Sequence, residues 1–151
     1  MRLVGWMARH LGWSGVRLTP GRHALVGYLA LSRRPGFGGA LDGRIALLAG
    51  GLAAQLSGCR WCIDRTGHDW RMAGLPSQLL EELRTYSSSR LFSERERAAL
   101  AFVEAVARAS ASTGDMDRAR AVLSEGELAE LTAIVAEHHC LEAITSNLPA
   151  S

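Results

Sequence analysis

The stretch Ala49-Gly50-Gly51-Leu52-Ala53-Ala54-Gln55-Leu56-Ser57-Gly58-Cys59-Arg60-Trp61-Cys62 decides how the chain folds. Its first half is small and apolar without period-2 alternation, and reads as a buried helix. Ser57-Gly58 interrupts that helix, and another begins at Cys59. Glycine inside a helix costs about 1 kcal/mol relative to alanine, so Gly50-Gly51 implies close approach by a neighbouring helix. Working outward, Asp42 stands where an N-cap belongs, and the first helix runs from there through Gln55. The second ends near Gly74, a residue type suited to the position past a helix end, with Pro76 following.

The same punctuation divides the rest of the chain. Pro20 opens a candidate helix over 20–34, which Pro35-Gly36-Phe37-Gly38-Gly39 breaks. A short helix follows over 77–86. Ser93-Glu94-Arg95-Glu96 is a capping box opening a helix to about residue 109, and Asp115 starts another short one. Ser124-Glu125-Gly126-Glu127 is a second capping box, opening a last long helix toward residue 147. There Leu128, Leu131, Ile134 and Val135 form one buried stripe. No segment alternates like a half-buried strand, and no repeat or long linker divides the chain. The expectation is all-α: one domain over 20–148, of about six to eight helices, after an N-terminal extension over 1–19.

Composition narrows the function classes. The 151 residues are 48% hydrophobic, enough for one ordinary core. A net charge of +2, with the basic residues scattered, excludes the electrostatic footprint of a nucleic-acid binder. All 17 basic residues are Arg, which excludes Schiff-base and lysine general-base chemistry. The longest apolar run, 45–54, falls short of the roughly 18 residues a membrane-spanning helix needs. The start, interrupted by Arg2, Arg9 and His10, offers no clean signal-peptide core. Three cysteines make no disulfide framework. A soluble chain in a reducing cytoplasm is expected, with no membrane partner.

The chemistry concentrates in Cys59-Arg60-Trp61-Cys62. Residues three apart lie about 60° apart around a helix, so the two sulfurs share a face and can close a small disulfide ring. At a helix start, unpaired N–H groups and the positive dipole end favour thiolate, and Arg60 and Arg65 add positive charge. This placement makes a competent redox dithiol; the plain alternative is two buried structural cysteines. A zinc site from Cys59, Cys62 and His68, with His138, His139 or Cys140 as fourth ligand, matches no standard spacing. Cys59 and His68 also stand about 180° apart on one helix. Of His138-His139, one is expected buried and its neighbour on the surface. Cys140 reads as a small core residue, and Trp61 and Trp70 as core packing.

Residues 54–64, with His68 and Arg71-Met72-Ala73-Gly74-Leu75, resemble the carboxymuconolactone decarboxylase-like superfamily. The nearer likeness is to its alkylhydroperoxidase D-like (AhpD-like) branch, which carries the Cys-x-x-Cys. Phe37-Gly38-Gly39-Ala40-Leu41-Asp42, the stretch 91–101 and the opening of the last helix resemble that branch too, so the likeness covers roughly 20–148. It implies a helical bundle assembling into homo-oligomers (dimers, trimers or hexamers) and thiol-dependent reduction of small hydroperoxides. It also implies electrons from a lipoylated or other dithiol protein, and no cofactor beyond the redox-active Cys59–Cys62 disulfide. The peroxidatic thiol is implied to be Cys62 and the resolving one Cys59, although the helix dipole alone favours Cys59 as the more acidic.

The branch's proton relay is a different matter. Its His, four residues past the second Cys, falls on Thr66; its Glu, twelve before the first, falls on Leu47. A Thr hydroxyl can hydrogen-bond a thiolate but is no base near neutral pH. His68, about 120° around the helix from Cys62, is a poorer neighbour of the thiol than Thr66. The expectation is therefore a weak peroxidase, with Thr66 or His68 in support of Cys62. A helical oligomer with a merely regulatory Cys pair is the alternative, and a carboxymuconolactone decarboxylase-like lyase a distant third.

Overall fold

A computed structural model describes residues 39–146, which form six α-helices and no strand. The extension and the 20–34 helix lie outside the described residues. The helices are α1 (Gly43–Ser57), α2 (Arg60–Met72), α3 (Ser77–Glu81), α4 (Glu94–Ala107), α5 (Thr113–Arg120) and α6 (Glu125–Ser146). Among them no helix is long and apolar enough to cross a membrane.

α1 is the central element, packed on α4, α6 and α2. Asp42 caps it, accepting the Arg44 and Ile45 N–H groups, and Gly58 ends it in the left-handed region at φ 71°. A helix surrounded on three sides needs small residues where neighbours press closest. A Cβ on Gly51 would fall 2.7 Å from Leu83 Cδ1 and 3.2 Å from Trp70 Cζ3, so only glycine fits without moving them. The apolar run over 45–54 is thus largely covered within the chain, with Ile45, Leu48, Leu52 and Ala54 buried. Trp70 is buried in the main core and its indole N–H donates to the Pro76 carbonyl at 3.1 Å.

Two sequence boundaries change. The expected 77–86 helix is α3 followed by a 3₁₀ turn, Glu82–Thr85. The helix expected to start at Asp115 instead starts at Thr113, with Ser112 as N-cap. Asp115 is its N3 residue, closing a capping box whose Ser-x-x-Asp form is the carboxylate analogue of the two Ser-x-x-Glu boxes.

Candidate active site

Cys59 is the N-cap of α2 and Cys62 its N3 residue. Their sulfurs are bonded at 2.10 Å. The Cys62 N–H donates to Cys59 Sγ at 3.2 Å, so the sulfur does the work an N-cap oxygen usually does. The Cys59 N–H donates to Ser57 Oγ at 3.4 Å, and Cys59 Sγ lies 3.8 Å from Thr145 Oγ1 of α6. Both cysteines are buried, in a small apolar cluster with Ala54 and Leu141 apart from the main core.

A cavity of about 300 Å³ opens between α1, α2 and α6 against this cluster, and it distinguishes the two sulfurs: Cys62 is in its wall, Cys59 is not. α2 gives the wall Cys62, Arg65, Thr66 and Asp69, one stripe at helical spacing, with Trp61 beside them. α6 gives Glu130, Ile134, Glu137, His138 and Leu141, and α1 gives Ala46, Leu47 and Gly50. Arg65 lies over the Trp61 ring, 5.5 Å from its centroid, and pairs with Asp69 at 3.7 Å. Glu130 is committed elsewhere, accepting the N–H groups of Ala40 and Leu41 at 3.2 and 3.0 Å.

The residues singled out in the sequence separate in the structure. Leu47 and Thr66, which stand where the resembled branch has its relay, both face the cavity that Cys62 lines, and Thr66 is buried. His68 is exposed and outside the wall. His138 is buried and His139 exposed. Two residues expected in the core are not there. Trp61 is 38% exposed: it sits about 180° around α2 from Trp70, so burying Trp70 turns it outward. Cys140 is exposed, because α6 points His138 and Leu141 inward and Cys140 stands about 200° from the former and 100° from the latter. Among the described residues no three His, Cys, Asp or Glu side chains converge to hold a metal ion.

The chain is a helical bundle with a Cys-x-x-Cys disulfide at the start of a helix, and in this it resembles AhpD-like proteins. It is similar in structure to a protein of unknown function from Agrobacterium tumefaciens, described as a candidate antioxidant defence protein AhpD. The two share 25% identity at a TM-score of 0.64, over 85% of this chain and 88% of that one. A debrominase in its apo form shares the fold at a TM-score of 0.67 and 19% identity, over 87% of this chain and 68% of the enzyme. No family model matches the sequence, and no curated protein does.

Proposed function

We propose that the chain is a thiol-disulfide oxidoreductase that reduces small hydroperoxides at Cys62 and is reset by an external dithiol. The observation that supports this reading is the asymmetry of the pair, one sulfur on a cavity wall and its partner behind it at a helix N-cap. In the reduced protein the Cys62 thiolate attacks one oxygen of the hydroperoxide. The S–O bond forms, the O–O bond breaks and the alkoxide leaves, protonated to the alcohol, while Cys62 becomes a sulfenic acid. The Cys59 thiolate then attacks Cys62 sulfur, expelling the hydroxyl as water with one proton and closing the disulfide. A dithiol such as a dihydrolipoyl group restores the pair: one thiol forms a mixed disulfide with Cys62, and the second displaces Cys62 as the donor becomes a disulfide. Cys59 leaves as a thiolate that the Cys62 N–H and the helix dipole stabilise.

The alternative, a regulatory disulfide without turnover, draws its support from Leu47 and Thr66, neither of which can act as a base near neutral pH. General acid–base help is worth roughly 10²- to 10⁴-fold, so its loss slows the chemistry without changing its class. Assembly into a homo-oligomer belongs to the same proposal. Its support is the apolar Trp61, Ile63 and Met72 left exposed on α2.

Single-turnover oxidation of the reduced protein by cumene hydroperoxide tests the reading. In a chain also carrying Cys140→Ser, Cys59→Ser should stop at a sulfenic acid on Cys62 that dimedone traps, and Cys62→Ser should not react. Equal reactivity of the two variants defeats the assignment.

A further inference from the structure

Cys62 has no base at either family relay position, yet one imidazole shares its cavity. His138, on α6, is buried and in the wall. Its Nδ1 lies 2.8 Å from the Ile134 carbonyl oxygen one turn back. A carbonyl only accepts, so the neutral ring carries its proton on Nδ1 and keeps a free lone pair on Nε2. The ring edge lies over Gly50 of α1: a Cβ added there would stand 3.7 Å from His138 Cε1, in ordinary contact. A buried imidazole with a fixed tautomer and a lone pair on Nε2 meets the chemical requirement for proton transfer.

We infer that His138 is the proton-transfer group for Cys62, doing from α6 what the usual relay's His does from the cysteine helix. The inference rests on the peroxidase reading and deepens it. His138 Nε2 takes the Cys62 thiol proton, directly or through one water in the cavity. The thiolate attacks the peroxide, the S–O bond forms as the O–O bond breaks, and the proton on Nε2 passes to the departing alkoxide. Proton and electron counts then balance over the step, with Cys62 oxidised by two electrons and the peroxide reduced by two. The other charged groups facing this space are Arg65 and Asp69 from α2 and Glu130 and Glu137 from α6. α1 presents only Ala46, Leu47 and Gly50.

The test uses the full chain carrying Cys140→Ser, so that only the pair is reactive. In the reduced protein, the pH dependence of Cys62 alkylation by iodoacetamide is compared among the parent, His138→Ala, His138→Gln and Glu137→Gln. Both His138 substitutions should move the alkylation midpoint upward by about one pH unit or more. They should also slow single-turnover oxidation by cumene hydroperoxide by roughly 10²-fold or more. Added imidazole should recover part of the rate in His138→Ala, which a purely structural role would not permit. Unchanged midpoint and rate in a folded His138→Gln overturn the proposal, as does an effect that follows Glu137→Gln instead. Should His138→Ala not fold, the His138→Gln midpoint decides alone. A parent that alkylates with the expected midpoint yet ignores hydroperoxide sinks the peroxidase reading and leaves the proton assignment standing.

Discussion

The start of α2 and the starts of α4, α5 and α6 solve one problem in two chemistries. Each helix leaves N–H groups of its first turn unpaired, and each satisfies them with residues at N-cap and N3. Ser93/Glu96, Ser112/Asp115 and Ser124/Glu127 do so by reciprocal hydrogen bonds: the hydroxyl accepts the N3 N–H, and the N3 carboxylate accepts the N-cap N–H. Cys59 and Cys62 occupy the same two positions. There the N-cap sulfur still accepts the N3 N–H, but the return link is a covalent bond and the N-cap N–H turns to Ser57. One spacing of three therefore serves as a start signal at three helices and as a disulfide at the fourth. What differs is whether the link between the two side chains can be made and broken by electrons.

The largest effect that sharpens this contrast comes from giving α2 the other helices' cap. Cys59→Ser should abolish dithiol-driven turnover in a peroxide-consumption assay. The stability of the reduced protein should change by less than about 0.5 kcal/mol in urea denaturation, because serine is a sound N-cap. A loss of several kcal/mol would show that Cys59 does more than cap. Next in size, Glu96→Ala should cost about 2 kcal/mol, since it removes the box and the partner of Arg44, 2.6 Å away. Ser93→Ala should cost about 1 kcal/mol, and in both variants the oxidation kinetics of Cys62 should hold.

The smallest effect is one of pH. Glu96 is pushed up by burial, but the Arg44 hydrogen bond and those from Ser93 outweigh this and hold its carboxyl below the ordinary range. Hydrogen bonds from Ser124 and the charge of Arg95 do the same for Glu127, and those from the Ser112 side chain and backbone for Asp115. Each binds protons more readily unfolded than folded. Its stabilisation is therefore complete above the ordinary carboxylate range, about pH 4, and is lost as pH falls through the native values. The disulfide at α2 has no proton to gain. Amide exchange in the oxidised protein should show the first turns of α4 and α6 loosening in acid before that of α2, and Glu96→Gln and Glu127→Gln should flatten the trend. A first turn of α2 that frays together with the others would erase the distinction.

Local signals were what the sequence could convey. Asp42, Ser93 and Ser124 announce their helices because capping is decided within four residues, and the Cys pair announces a shared face for the same reason. Ser112 went unread as a cap because Gly114 obscures the helical pattern behind it. The 180° separation of Trp61 from Trp70 was available from the spacing and shows that both could not be core. The α2 side of the Cys62 neighbourhood, Arg65 and Thr66, is legible from helical spacing, but the α6 side is not. His138 meets the thiol's cavity only because α6 crosses α2 and α1, a tertiary arrangement no local pattern encodes.

A cap made of sulfur ties the integrity of a helix to an electrode potential. The first turn of α2 is held by a hydrogen bond to Cys59 Sγ in the disulfide, and cutting the bond would leave a thiol or thiolate to take over that role. By thermodynamic cycle, any free energy by which the thiolate holds that turn better than the disulfide does raises the midpoint potential of the pair, by roughly 30 mV for each 1.4 kcal/mol. Substitutions at Ser57 or Thr145, which touch Cys59 and lie outside the cavity wall, would in this way shift the potential at which the disulfide opens.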